Sequence, residues 1–166
     1  MTTFHARPVD PAALKELRDT DDAGVPARGY RDEEGGAVLR CCLRLSRVGE
    51  RIALVSYAPL RRWAAATGAD PGAYDEQGPV FIHEGECGGP ESNGGAYPFA
   101  RPGALRVFRR YDARGRIHGG RLMELPFDTC EAFDTALSEA FDYSEVALVH
   151  VRAVEYGCFH FEIRRP

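Results

Sequence analysis

The chain has 166 residues, 44% of them hydrophobic, which suffices for one domain (1–166) with an ordinary buried core. Lys and Arg number 21 against 25 Asp and Glu, a formal net charge of -4 that argues against a nucleic-acid binder, since such proteins carry a basic excess. No apolar run approaches the roughly 20 residues needed to cross a bilayer, and Met1 to Asp10 lacks the pattern of a signal peptide, so the expectation is a cytoplasmic protein without a membrane partner. Its five cysteines then read as reduced thiols or metal ligands instead of a disulfide framework. Lys15 is the only lysine, so arginine pairs such as Arg61-Arg62 and Arg109-Arg110 read as solvated faces of an arginine-rich composition.

In chain order, Asp10-Pro11 opens a short amphipathic helix carrying Leu14 and Leu17. The polar stretch from Asp21 to Gly36 reads as a long loop. Ala37 to Leu45 and Arg51 to Tyr57 read as two strands of a hairpin around Gly49. A helix follows Pro59, a short strand covers Pro79 to His83, and the glycine-rich stretch Gly85 to Gly95 shows no periodicity. Ala104 to Tyr111 and Arg116 to Leu125 form a hairpin around Asp112-Ala113-Arg114-Gly115. Asp128 or Thr129 caps a helix to about Phe141 that buries Phe133, Ala136, Leu137 and Ala140 on one face. Val146 to Ala153 and Cys158 to Ile163 close the chain as a last hairpin. The sum is an α+β fold: a mainly antiparallel, twisted sheet of about seven strands, able to curl into a half-open barrel, with two or three packed helices.

Three stretches taken together are similar to a known family. They are Arg40-Cys41-Cys42-Leu43-Arg44 leading into Gly49-Glu50-Arg51 and Leu54-Val55-Ser56-Tyr57, then Gly78-Pro79-Val80-Phe81-Ile82-His83, then Val149-His150-Val151-Arg152 with Gly157-Cys158-Phe159. They resemble a bacterial family catalogued only as domain of unknown function 1203, over most of the chain from about Tyr30 onward. The resemblance implies no activity. The link Leu60 to Ala73 is longer here than in that family.

Strand alternation over Ala37 to Leu45 would place Cys41 in the core with Leu39 and Leu43, and Cys42 on a polar face between Arg40 and Arg44, where positive neighbours favour a thiolate. The last hairpin would direct Val149, Val151, Phe159 and Phe161 to the core and His150, Arg152, Cys158, His160 and Glu162 to the other face. That polar face is either a solvated exterior or the floor of a pocket. The pocket reading makes the protein a binder of a small acidic molecule, and an enzyme if Cys42 is a nucleophile and His83 or His150 carries a proton, with Arg40, Arg44 and Arg152 holding the ligand and no cofactor required.

Two alternatives stay open. His83 and Cys87 could share a zinc ion with further ligands from Cys42, His150, Cys158 or His160, although paired-cysteine spacing is absent. The aromatic residues Tyr57, Trp63, Tyr74, Tyr97 and Phe99 could instead make the surface of an interaction module. Dinucleotide, phosphate-loop and serine-elbow motifs are absent from the sequence. An edge strand would allow a homodimer as well as a monomer.

Overall fold

The structure, a computed structural model, describes Thr3 to Pro166. A short helix α1 (Pro11–Leu17) leads to strands β1 (Gly29–Arg31), β2 (Val38–Leu39), β3 (Arg44–Leu45) and β4 (Arg51–Tyr57). Helix α2 (Pro59–Thr67), which fills the Leu60 to Ala73 link, and a single 3-10 turn (Gly72–Tyr74) precede β5 (Gly78–His83). Then come β6 (Leu105–Asp112), β7 (Ile117–Glu124), α3 (Thr129–Phe141), β8 (Val146–Ala153) and β9 (Phe159–Arg164).

The strands form two sheets that do not close into a barrel, one ordered β1-β4-β5-β2-β3 and the other β7-β6-β8-β9. Among the described residues every strand pairing is antiparallel except that of β2 with β5. The α+β class and both C-terminal hairpins agree with the sequence reading. Helix α3 starts as its sequence dictates: the Asp128 carboxylate accepts the Glu131 N–H at 3.0 Å, and Phe133, Ala136, Leu137 and Ala140 recur on one face. That face packs on Phe108, Val149, Val151 and Phe161 to make the larger core. A second core, with Leu17, Leu39, Ile52, Val55 and Ile82, lies against the other sheet.

Three sequence expectations require correction. Ala37 to Leu45 is not one strand but a hairpin in itself, with Val38 opposite Leu45, Leu39 opposite Arg44, and Arg40 to Leu43 as the turn. Its last turn residue, Leu43, takes the left-handed conformation at φ 56°, and its N–H bonds to the Leu39 carbonyl at 3.0 Å. Consequently β4 does not pair with this segment; it pairs with β1, which lies inside the stretch read as a loop, and with β5.

The last hairpin carries the third difference. Arg152 pairs with Phe159 and Val151 with Phe161, leaving His160 as the extra residue of a β-bulge. The bulge turns Phe159 away from the larger core to meet Tyr57 edge-on in the second one. The polar face is not solvated either, because His150, His160 and Glu162 are all buried.

Candidate metal centre

The only parallel pairing among the described residues assembles the site. Leu39 of β2 lies opposite Phe81 of β5, so the residues two further along, Cys41 and His83, arrive side by side at the same edge. The His83 N–H donates to Cys41 Sγ at 3.2 Å. Cys42 follows in the hairpin turn, and Cys87 returns from the glycine-rich segment four residues beyond His83. Cys41 Sγ, Cys42 Sγ, a ring nitrogen of His83 and Cys87 Sγ all lie within 4.8 Å of one another.

Within that set, Cys41 Sγ lies 3.9 Å from Cys42 Sγ, and His83 Nδ1 lies 3.4 Å from the first sulfur and 3.8 Å from the second. A tetrahedral zinc ion, with Zn–S of about 2.3 Å and Zn–N of about 2.0–2.1 Å, requires S···S edges of about 3.8 Å and S···N edges of about 3.5 Å. Three of the four side chains therefore already stand at corners such an ion needs, with Cys87 Sγ within 4.8 Å of them. Three cysteines and one imidazole form a soft donor set suited to zinc.

The surroundings complete the arrangement. With Nδ1 turned toward the sulfurs, His83 Nε2 faces the Glu50 carboxylate at 3.3 Å. Glu50 is itself fixed by Arg44 at 2.6 and 3.0 Å and by the Arg47 N–H at 2.7 Å. Arg44 in turn holds the Glu50 carboxyl far below the ordinary carboxylate range. An ionised carboxylate behind an imidazole orients a metal-binding histidine and raises its basicity.

The two adjacent thiols push each other's acidity in opposite directions. The Cys41 thiol hydrogen-bonds to the Cys42 sulfur and, together with a backbone N–H from Arg44 and the His83 and Arg44 side chains, lowers the Cys42 pKa to about 6; the same contact and burial raise that of Cys41. Cys42 is thus the more acidic thiol of the pair.

Of the six residues singled out in the sequence, Cys42, His83 and Arg44 come together here. The other three lie elsewhere. Arg40 turns to the opposite side of the hairpin, is buried, and donates to the Phe159 carbonyl at 2.7 Å and to that of Val38. His150 is fully buried in β8 between Tyr111 and Phe159, with Nε2 donating to Glu162 at 3.1 Å. Arg152 lines a separate 270 Å³ hollow, where it bonds the Gly157 carbonyl at 3.0 Å and faces Glu76 at 3.5 Å.

Two residues escaped the sequence reading. Cys41 is the core residue the sequence suggested, yet its sulfur also meets His83, and Glu50 looked like part of a hairpin loop. Cys41 reaches His83 through the β2–β5 pairing and Glu50 through the antiparallel β4–β5 pairing, and no local pattern reports either. Two cavities flank the centre. One, of about 430 Å³, is lined by Cys42, Arg44 and Tyr97, and the other, of about 330 Å³, by Glu50, His83 and Cys87.

No helix among the described residues is long and apolar enough to cross a membrane. Neither the curated proteins nor the solved structures contain a match to the chain. A family model does match it over residues 36–165, which takes in every residue of the cluster and of its carboxylate support. The chain therefore belongs to the DUF1203 family of proteins of unknown function.

Proposed function

We propose that this is a zinc-binding protein in which Cys41, Cys42, His83 and Cys87 hold one Zn²⁺ ion. The observation that carries the reading is the agreement of the sulfur–sulfur and sulfur–nitrogen separations with the edges of a zinc tetrahedron. Glu50 behind His83 supports it independently, since that contact has no part in the packing of either core.

Four protein ligands fill a tetrahedron and leave no position for water or substrate, the pattern of a structural centre. In this role the ion ties the glycine-rich segment, through Cys87, to the β2–β3 turn and the end of β5. Cys42 and His83 then act as ligands and not as nucleophile and proton carrier, because their lone pairs are engaged.

Cobalt(II) titration of the metal-free protein tests the assignment. The expected result is a saturating set of visible bands of tetrahedral thiolate cobalt at one equivalent, displaced by one equivalent of zinc. Glu50→Gln should keep the band shape and weaken affinity by about 10- to 100-fold, the usual effect of losing a partner of a ligating histidine. An octahedral spectrum, or bands that survive His83→Ala together with Cys87→Ser, would show that these residues are not the ligands.

A further inference from the structure

On the other side of the β2–β3 turn from the metal ligands, an open cleft of about 660 Å³ runs between the two sheets. Its walls are mostly apolar: Leu54 and Phe81 on one side, Phe99 and Tyr156 on the other. Leu54 is half exposed and Tyr156 almost wholly so, although each borders a concave apolar surface. The volume falls within the range of sites that take small organic molecules.

The polar groups in this cleft are unbalanced. Arg40, Arg101 and Arg106 line it, and Glu155 is its only acidic lining residue. Glu155 stands 3.6 Å from Arg101 and 3.9 Å from Arg106, too far for a good hydrogen bond to the latter. Arg106 is 4% exposed; it donates to the Leu105 and Phe99 carbonyls at 2.7 and 2.8 Å, and its Nε is buried with no partner. Arg40, also 4% exposed, bonds only backbone carbonyls among the described residues. Burying a guanidinium without a close counter-ion is costly; Arg40 has none among the described residues and Arg106 has only Glu155 at 3.9 Å, so positive charge beside the cleft is left to be met from outside.

His160 adds a specific feature. It is the bulged residue of β9, so its side chain is redirected out of the ladder and into the cleft wall, edge-on to Phe99 at 5.1 Å, with Nδ1 unpartnered. Burial and the charges of Arg40 and Arg106 hold its pKa down to about 3, so at neutral pH it is an uncharged hydrogen-bonding group between two cations.

We propose that this cleft binds a small monocarboxylate with an apolar body, its carboxylate set between Arg40 and Arg106 beside His160 and its hydrocarbon or aryl portion against Leu54, Phe81 and Phe99. A carboxylate suits the site better than a phosphate, because backbone carbonyls already occupy several of the guanidinium N–H groups and two acceptor oxygens need fewer free donors. The cleft shares no side chain with the metal cluster, so the two assignments stand or fall separately.

Calorimetric titration of the protein as purified, with sodium octanoate, sodium phenylacetate and octan-1-ol, tests this. At least one carboxylate should bind at a single saturable site, at least about tenfold more tightly than the alcohol, the factor expected when a charge-assisted hydrogen bond is lost. Leu54→Glu, at an exposed position that does not hold the core, should weaken the carboxylate by tenfold or more, and Arg106→Gln should do the same. Failure of both carboxylates to bind, equal binding of the alcohol, or carboxylate binding unchanged in a folded Leu54→Glu protein overturns the proposal. The Leu54 result decides even if the Arg106 variant does not fold.

Discussion

Stripping the metal with a chelator should lower the thermal unfolding midpoint by about 8–16 °C and open residues 84–95 to proteolysis. The size follows from linkage. An ion bound about a thousandfold more tightly than its free concentration stabilises the native state by about 4 kcal/mol. For a domain of this length each kcal/mol moves the midpoint by about 2–4 °C. The full binding energy of structural zinc in small peptides, about 10–16 kcal/mol, refers to a standard state of 1 M ion, so the stabilisation at a free ion concentration far below that is smaller.

The proteolytic result follows from local structure. Gly85 to Gly95 contains no helix or strand, and Cys87 is the residue by which the centre holds it. Differential scanning fluorimetry and limited proteolysis, with and without chelator, make the measurement. Cys87→Ser should reproduce the proteolytic sensitivity without chelator, since it cuts the same tether.

Acid should also destabilise the fold steeply, through two buried imidazoles. Burial lowers the pKa of His150, against the opposing hydrogen bond to the Glu162 carboxylate, and burial with the charges of Arg40 and Arg106 brings that of His160 to about 3. In the unfolded chain both return to about 6.5. Below about pH 6.5 the unfolded state binds more protons than the native one. Stability is therefore complete above about pH 6.5 and falls as the pH drops; for His160, between about 6.5 and 3, the slope is about 1.4 kcal/mol per unit.

For His160 alone the loss approaches about 5 kcal/mol near pH 3, a large part of the total stability of a domain. Glu162 adds to the loss at lower pH. Burial raises its pKa, but His150 and Arg164 together lower it further, so its contribution is present above about pH 4.3 and lost below. Denaturant titrations between about pH 7 and 4 should show a slope in His160→Gln that is shallower by about 1.4 kcal/mol per unit. Loss of metal in acid is common to both proteins and cancels in the comparison. Equal slopes would mean that His160 is solvated and titrates normally.

How much of this was legible depended on whether the signal was local. The β6–β7 hairpin declared itself through Asp112-Ala113-Arg114-Gly115, where Gly115 takes φ 86°, and α3 through Asp128 and its apolar spacing. The β2–β3 turn carries no such mark, because its left-handed position is occupied by a leucine, a residue that rarely adopts that conformation. Reading through it put Cys42 on a polar face, whereas it is buried in the second core beside Cys41. One turn thus hid that the two sulfurs meet at a single point.

The rest of the site was hidden by distance along the chain. His83 and Cys87 were visible as a pair, and Cys42 as a thiol near positive charge, but their meeting depends on the β2–β5 register and that of Glu50 on the β4–β5 register. In the last hairpin, alternation correctly grouped His150 with Glu162, which now form a buried pair. It did not foresee that Tyr111 and Phe159 would cover them, nor that a bulge would turn His160 aside. Alternation describes one strand and not what lies over it.

The central claim is most directly tested by elemental analysis of untagged protein purified without chelator, in parallel with Cys41→Ser and His83→Ala. The account predicts one zinc per chain in the natural protein, and zinc well below stoichiometric in each variant while the far-ultraviolet circular dichroism keeps its α+β form. Protein that is folded, metal-free and unable to take up zinc on addition, or zinc retained in full by both variants, would contradict it.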